Sequence, residues 1–115
     1  VFYRNFVCRL PEWPEEVTRT LNGLSTPVYY TMNGPNEFTI VGNLRDWDIT
    51  PRLHEIRVPT LVTAGRYDEV TPKIAETIHK NISGSKLVVF ENSSHLAMWE
   101  EQESYVRTVR EFITT

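Results

Sequence analysis

The sequence is poor in the residues that mark several kinds of protein. Its 115 residues include one cysteine, Cys8, so no intrachain disulfide can form. No set of Cys and His residues has zinc-ligand spacing, and neither a metal nor another cofactor is expected. No apolar run approaches the ~18 residues of a membrane span, so no membrane partner is expected. No block of Lys and Arg stands out. Twelve basic residues face fifteen acidic ones, for a net charge of −3, which argues against nucleic acid as a partner. The first residues, Val1-Phe2-Tyr3-Arg4, contain no initiator Met and no signal or transit pattern. The expectation is a fragment of a longer, cytoplasmic protein. What is there is an ordinary globular composition, 40% hydrophobic and 23% charged, enough for one modest domain with a core.

The chain reads in two parts. Residues 1 to about 55 read as largely irregular, broken by Pro11, Pro14, Pro27, Pro35 and Pro51. Within them Pro14-Glu15-Glu16-Val17 opens a short helix that ends near Asn22-Gly23. Gly34-Pro35-Asn36-Glu37-Phe38 is turn chemistry. The aromatic residues of this part, among them Trp13, Tyr29, Tyr30, Phe38 and Trp47, read mostly as packing. From Pro59 the texture changes. Thr60–Ala64 and Lys86–Phe90 are short, nearly continuous apolar runs, the pattern of strands covered on both faces in a parallel sheet. Between them Pro72 to Ile82 reads as a helix, with Thr71 as its N-cap and Ile74, Ala75, Ile78 and Ile82 at helical spacing. Glu100 to Ile113 reads as a last helix with Tyr105, Val109, Phe112 and Ile113 on one face. Strand, helix, strand, helix is one βαβ crossover plus a terminal helix. Two strands alone leave open edges and apolar faces, so the pattern is that of the end of a larger sheet.

Open α/β sheets place their sites beyond the C-terminal ends of the strands. Two loops qualify, Gly65 to Pro72 and Asn92 to His95. Asp68 on the first and His95 on the second suit the orienting acid and general base of a hydrolytic triad, because imidazole titrates near neutrality and a carboxylate fixes its tautomer. Taken singly, Asp68 reads better as a loop residue or cap and His95 as a satisfied surface histidine. His54 and His79 read as structural or solvated.

The segment Pro59 to Pro72 resembles the acid loop of α/β-hydrolases, and Ser93-Ser94-His95-Leu96-Ala97-Met98-Trp99-Glu100-Glu101 resembles their histidine loop. The 27-residue separation holds one helix and one strand, and Asp precedes His as in that superfamily. Met32-Asn33-Gly34-Pro35-Asn36-Glu37-Phe38, followed by Gly42 and Asp46-Trp47-Asp48, is narrower still. It resembles the proline iminopeptidase family, of the tricorn-interacting aminopeptidase type. The resemblance implies an α/β fold: residues 1–47 the end of a helical cap domain, and residues 48–115 the C-terminal part of the hydrolase core. It implies Asp68 as triad acid and His95 as triad base. It implies Glu37 and Glu69 as the carboxylates that hold the free α-ammonium of a peptide substrate, with Tyr29 or Tyr30 lining the pocket.

The family's Gly-x-Ser-x-Gly elbow does not occur in the sequence. Gly23-Leu24-Ser25-Thr26-Pro27 has proline where the last glycine belongs and no strand before it. A His-Gly-Gly-Pro oxyanion segment is missing as well. The expectation is therefore a chain inactive alone, whose partner is the N-terminal half of the same protein. Another α/β-hydrolase, such as an esterase or epoxide hydrolase, would need Asp68 and His95 but not Glu37 and Glu69. A non-catalytic fragment or binding module is the reading from a different class.

Overall fold

The structure, a computed structural model, describes residues 1–115. In chain order the elements are α1 (Phe2–Phe6), α2 (Glu15–Asn22), α3 (Thr26–Met32), a 3-10 helix (Thr50–Glu55), β1 (Leu61–Gly65), α4 (Pro72–Asn81), β2 (Lys86–Phe90), α5 (Ala97–Glu100) and α6 (Gln102–Ile113). They fall into two units, Val1–Glu12 with Thr50–Thr115, and Trp13–Ile49.

In the first unit the two apolar runs are the two strands. They pair in parallel, with Leu61 opposite Lys86 and Gly65 opposite Phe90. The α4 crossover begins as its sequence directs. Thr71 is extended at the N-cap, though its hydroxyl makes no cap hydrogen bond, and Pro72 occupies the first turn, where its missing N–H costs nothing. Ala75 and Ile82 are buried and Ile78 half-buried, but Ile74 is exposed, so the packed stripe is narrower than the helical spacing predicts. Leu61, Val62, Leu87 and Val88 are each only half-buried, as a two-stranded layer requires. Ala64, Phe90, Ala97 and Leu53 are buried, and Tyr105 of α6 packs its ring 5.6 Å from that of Phe90.

The expected single helix from Glu100 is two helices. Glu101 has φ −133° and ψ 51°, outside the helical region, and parts α5 from α6. Its carboxylate turns back to accept hydrogen bonds from the loop before α5, and that contact explains the break. On α6, Tyr105, Val109 and Phe112 are half-buried and Ile113 is exposed.

The first part of the chain is more ordered than its prolines predict. Helices α1 and α3 and the 3-10 helix all lie where the sequence reads as irregular. In α1, the rings of Phe2 and Phe6, one turn apart, meet at a tilt with their centres 5.2 Å apart. Residues 1–12 form a strap on the first unit, with Val7 and Cys8 buried. The Phe6 carbonyl accepts from the N–H groups of both Glu69 and His95, each at 3.2 Å, and the Val7 carbonyl accepts from Leu96 at 3.1 Å.

In the second unit α2 begins after Pro14 with Glu15 and Glu16 in its positive first turn. Residues after α3 form a tight turn closed by an Asn36–Thr39 bridge. Gly34 has φ +139°, and a Cβ there would lie 2.2 Å from the Thr39 carbonyl oxygen, so glycine is required. The aromatic residues of this unit do not all pack: Tyr30, Phe38 and Trp47 are exposed. No helix of the chain is long and apolar enough to cross a membrane.

Cys8 is fully buried, and that burial pushes its thiol above the ordinary value, with the Glu100 charge adding a smaller push in the same direction. Only the thiolate is reactive. Cys8 should therefore react with a disulfide reagent at pH 8 far more slowly in the folded protein than in denaturant. Equal rates would show that the strap does not hold Cys8 buried against the first unit.

Candidate active site

The site begins with the register of the strands. Gly65 and Phe90 end β1 and β2 side by side, so the loops that follow leave together. The Arg66 N–H donates to the Phe90 carbonyl at 2.9 Å, and the Tyr67 N–H to the Ser93 carbonyl at 3.0 Å. Close approach depends on Gly65. A Cβ there would lie 2.1 Å from the Ser94 carbonyl oxygen and 2.5 Å from that of Ser93. At the rim, the Arg66 guanidinium forks onto Glu91 at 2.6 and 2.8 Å. Those hydrogen bonds hold the Glu91 carboxyl below its usual range. Both side chains are exposed, so the pair adds little stability.

Asp68 and His95 meet across the two loops. The Asp68 Oδ1 lies 2.9 Å from His95 Nδ1 and also accepts the Val70 N–H at 2.8 Å. Asp68 is 9% exposed, and a buried carboxylate needs such hydrogen-bond donors. An ionised carboxylate can only accept. Nδ1 must therefore carry the proton, which leaves Nε2 as the basic nitrogen. The His95 side chain is 44% exposed, so that basic edge has access to solvent. Glu69 joins the pair: its side chain is 12% exposed and its Oε1 lies 4.0 Å from His95 Nδ1. Two carboxyl groups thus lie on the Nδ1 side of one imidazole.

Glu37 lies in the second unit, in the turn after α3. The Tyr29 hydroxyl donates to its Oε1 at 2.5 Å, and Asn33 Nδ2 donates to the Tyr29 oxygen at 3.0 Å. Asn33 Nδ2 also donates to the Asn36 carbonyl at 3.0 Å, which fixes the turn. Tyr29 is half-buried and bonded to a predicted site residue, whereas Tyr30 is exposed. Of the other histidines, His79 Nδ1 lies 2.7 Å from Ser85 Oγ at the end of α4, and His54 is exposed on the 3-10 helix. No group of three or more His, Cys, Asp or Glu residues is arranged to hold a metal ion.

Sequence reasoning missed the supports of this site. Ser93 and Ser94 are fully buried and bonded to Glu101 and Glu100. The only signal is their place beside His95, and the two glutamates stand at the beginning of the expected last helix. The strap through Phe6 carried no signal, because its contacts are made by backbone carbonyls.

Comparison with known proteins bears on the whole chain. A family model described as TAP-like protein matches residues 45–115. The proline iminopeptidase of Saccharolobus solfataricus is 56% identical over 113 residues, which cover 97% of this chain and 36% of that protein. The chain thus spans about a third of the length of this curated relative. Among solved structures, VinJ superimposes with a TM-score of 0.93 at 39% identity, over 98% of this chain and 39% of that one. The proline iminopeptidase of Mycobacterium smegmatis gives a TM-score of 0.91 at 38% identity, over 98% of this chain and 38% of that one.

The close approach at Gly65 makes a specific demand. Gly65→Ala should force the two loops apart and destabilise the protein by about 1–3 kcal/mol, the usual range for overpacking. Urea unfolding of the variant beside the parent protein measures this. An unchanged midpoint would mean that the loops are held less tightly than their carbonyl contacts require.

Proposed function

We propose, from the premise that the chain belongs to the TAP-like protein family and has the fold of the C-terminal part of an α/β-hydrolase, that it is part of a serine aminopeptidase that releases N-terminal residues, proline above all, from peptides. The observation that carries this reading is the 2.9 Å contact between Asp68 and His95, made across two strand-end loops with Glu69 beside it. In the reaction, a serine from the part of the protein outside this chain attacks the first peptide carbonyl. His95 Nε2 takes the serine proton as the tetrahedral adduct forms and returns it to the leaving amine as the C–N bond breaks. Water then attacks the acyl-enzyme, with His95 again the base, and regenerates the serine. Asp68 keeps the Nδ1 proton in place and stabilises the imidazolium.

Glu37 and Glu69 hold the substrate's free α-ammonium. This is what separates an aminopeptidase from an esterase on the same scaffold. The Tyr29 hydroxyl on Glu37 Oε1 supports the assignment, since it fixes that carboxylate before any substrate arrives. Residues 1–47 as the end of a cap domain and 48–115 as part of the core complete the proposal, along with a peptide as the partner.

The test uses the full-length protein and a prolyl chromogenic amide. His95→Ala should abolish turnover, and the 115-residue chain by itself should show none. Glu37→Gln and Glu69→Gln should each cost about 1.5–3 kcal/mol in kcat/KM, the loss of a charge-assisted contact. N-acetyl-prolyl substrates should be poor for the parent enzyme. Equal rates on free and acetylated substrates would defeat the aminopeptidase reading and favour the esterase.

Tyr29→Phe removes the hydroxyl from Glu37 and leaves its charge. It should raise KM for free-amine substrates several-fold with kcat nearly constant, because uniform binding is what is lost. A fall in kcat alone would place Tyr29 elsewhere in the reaction.

A further inference from the structure

His95 sits at the end of a short loop, and a loop of that length needs something to fix it. Strand β2 stops at Phe90, so the sheet ladder gives no support to residues 92–95. The Ser93 N–H donates to the Phe90 carbonyl at 3.3 Å, and four other donors turn to two consecutive carboxylates. Glu101 Oε2 accepts the Asn92 N–H at 3.0 Å and the Ser93 hydroxyl at 2.6 Å. Glu100 Oε2 accepts the Ser94 N–H at 2.9 Å, and its Oε1 accepts the Ser94 hydroxyl at 2.7 Å. The same Oε1 also accepts the Arg9 N–H at 2.7 Å, so Glu100 ties down the strap as well. That strap in turn receives the N–H groups of Glu69 and His95 on one carbonyl, that of Phe6.

We propose that Glu100 and Glu101 are positioning residues for the acid–base pair: they hold the loop that sets the distance from His95 to Asp68. Two adjacent carboxylates repel each other, and a helix start needs only one of them to complement its dipole. The helix moreover breaks at Glu101 to allow the contact. Both features are unfavourable for α5 and α6 taken alone, and both are accounted for by the loop. Ser93 and Ser94 are fully buried, so their hydroxyls and the Ser94 N–H have to find acceptors there. The hydrogen bond they protect tolerates only a few tenths of an ångström before it weakens. Loss of either carboxylate frees the loop, and His95 then samples positions away from Asp68.

This inference rests on the reading of His95 as the general base, and the experiment separates the two. Glu100→Gln and Glu101→Gln are made in the full-length protein, with Glu103→Gln as a control that removes an exposed charge from the first turn of α6. Two quantities are measured. One is kcat and KM on a prolyl amide, per active site titrated with a fluorophosphonate. The other is the far-downfield proton resonance of His95 Nδ1–H, assigned by its loss in His95→Gln. Each glutamate variant should lower kcat per titrated site roughly 10-fold or more, the scale of a misplaced catalytic group, with KM within about twofold. Each should also broaden or erase the downfield resonance, while the control changes neither. Unchanged kcat per site and an unchanged resonance in both variants would overturn the proposal and leave the carboxylates a purely structural part. If the glutamine variants do not fold, Ser93→Ala and Ser94→Ala each remove a single donor and are judged on the same two readouts. A resonance that responds in a parent protein with no prolyl activity would sink the functional reading and uphold the positioning. Prolyl activity with a resonance indifferent to the variants would do the reverse.

Discussion

The parallel, in-register pairing of β1 with β2 is the constraint on which the site depends. Residues 68 and 95 are 27 apart in sequence, and nothing local makes them meet. They meet because Gly65 and Phe90 end the two strands side by side. A register slip of one residue would exchange the faces of one strand and carry its loop away from the other. Gly65 adds a second condition, since its lack of a side chain lets the Ser93 and Ser94 carbonyls pass close to β1.

Charge is the second organising theme. Asp68 and Glu69 both sit largely out of solvent against one imidazole, and Glu100 and Glu101 brace the loop that carries it. Burying carboxylates is costly unless donors compensate. Asp68 has the Val70 N–H and His95; Glu100 and Glu101 have backbone N–H groups and hydroxyls. In an aminopeptidase of the kind proposed, this concentration of negative charge would serve two cations at different moments, the substrate ammonium on arrival and the imidazolium in the transition state.

Much of the fold could be read in the sequence, and the reasons differ by element. The strands and α4 announced themselves through uninterrupted apolar runs, a proline at the first helical turn and a cap residue before it. Helix α2 was legible from Pro14 and the two glutamates that follow. Helices α1 and α3 were not, because each is short and α3 carries its proline where proline reads first as a breaker. The break at Glu101 was hidden for a different reason: its cause is a side chain reaching back eight residues to Ser93, and no periodicity encodes that. The pairing of Asp68 with His95 was legible only because motif order and strand topology agree. The strap through Phe6 left no trace, since carbonyl oxygens are the same for every residue type.

The supports of the acid–base pair all lie in one unit of the chain. The strand pair, the strap of residues 1–12, the α5–α6 carboxylates and the two loops belong together. Each support acts on a different degree of freedom. Strand pairing sets which loops are neighbours, and Gly65 sets how near they come. The Phe6 carbonyl ties their backbones at Glu69 and His95, and Glu100 and Glu101 fix the residues immediately before the histidine. Redundancy of this kind is what a preorganised site requires, because the electrostatic benefit of a placed carboxylate is lost if the protein must reorganise during the reaction. The Asp68–His95 contact therefore takes its geometry from contacts internal to this unit. On the proposed reading, a nucleophile brought by the remainder of the protein meets a base whose tautomer and orientation are already set.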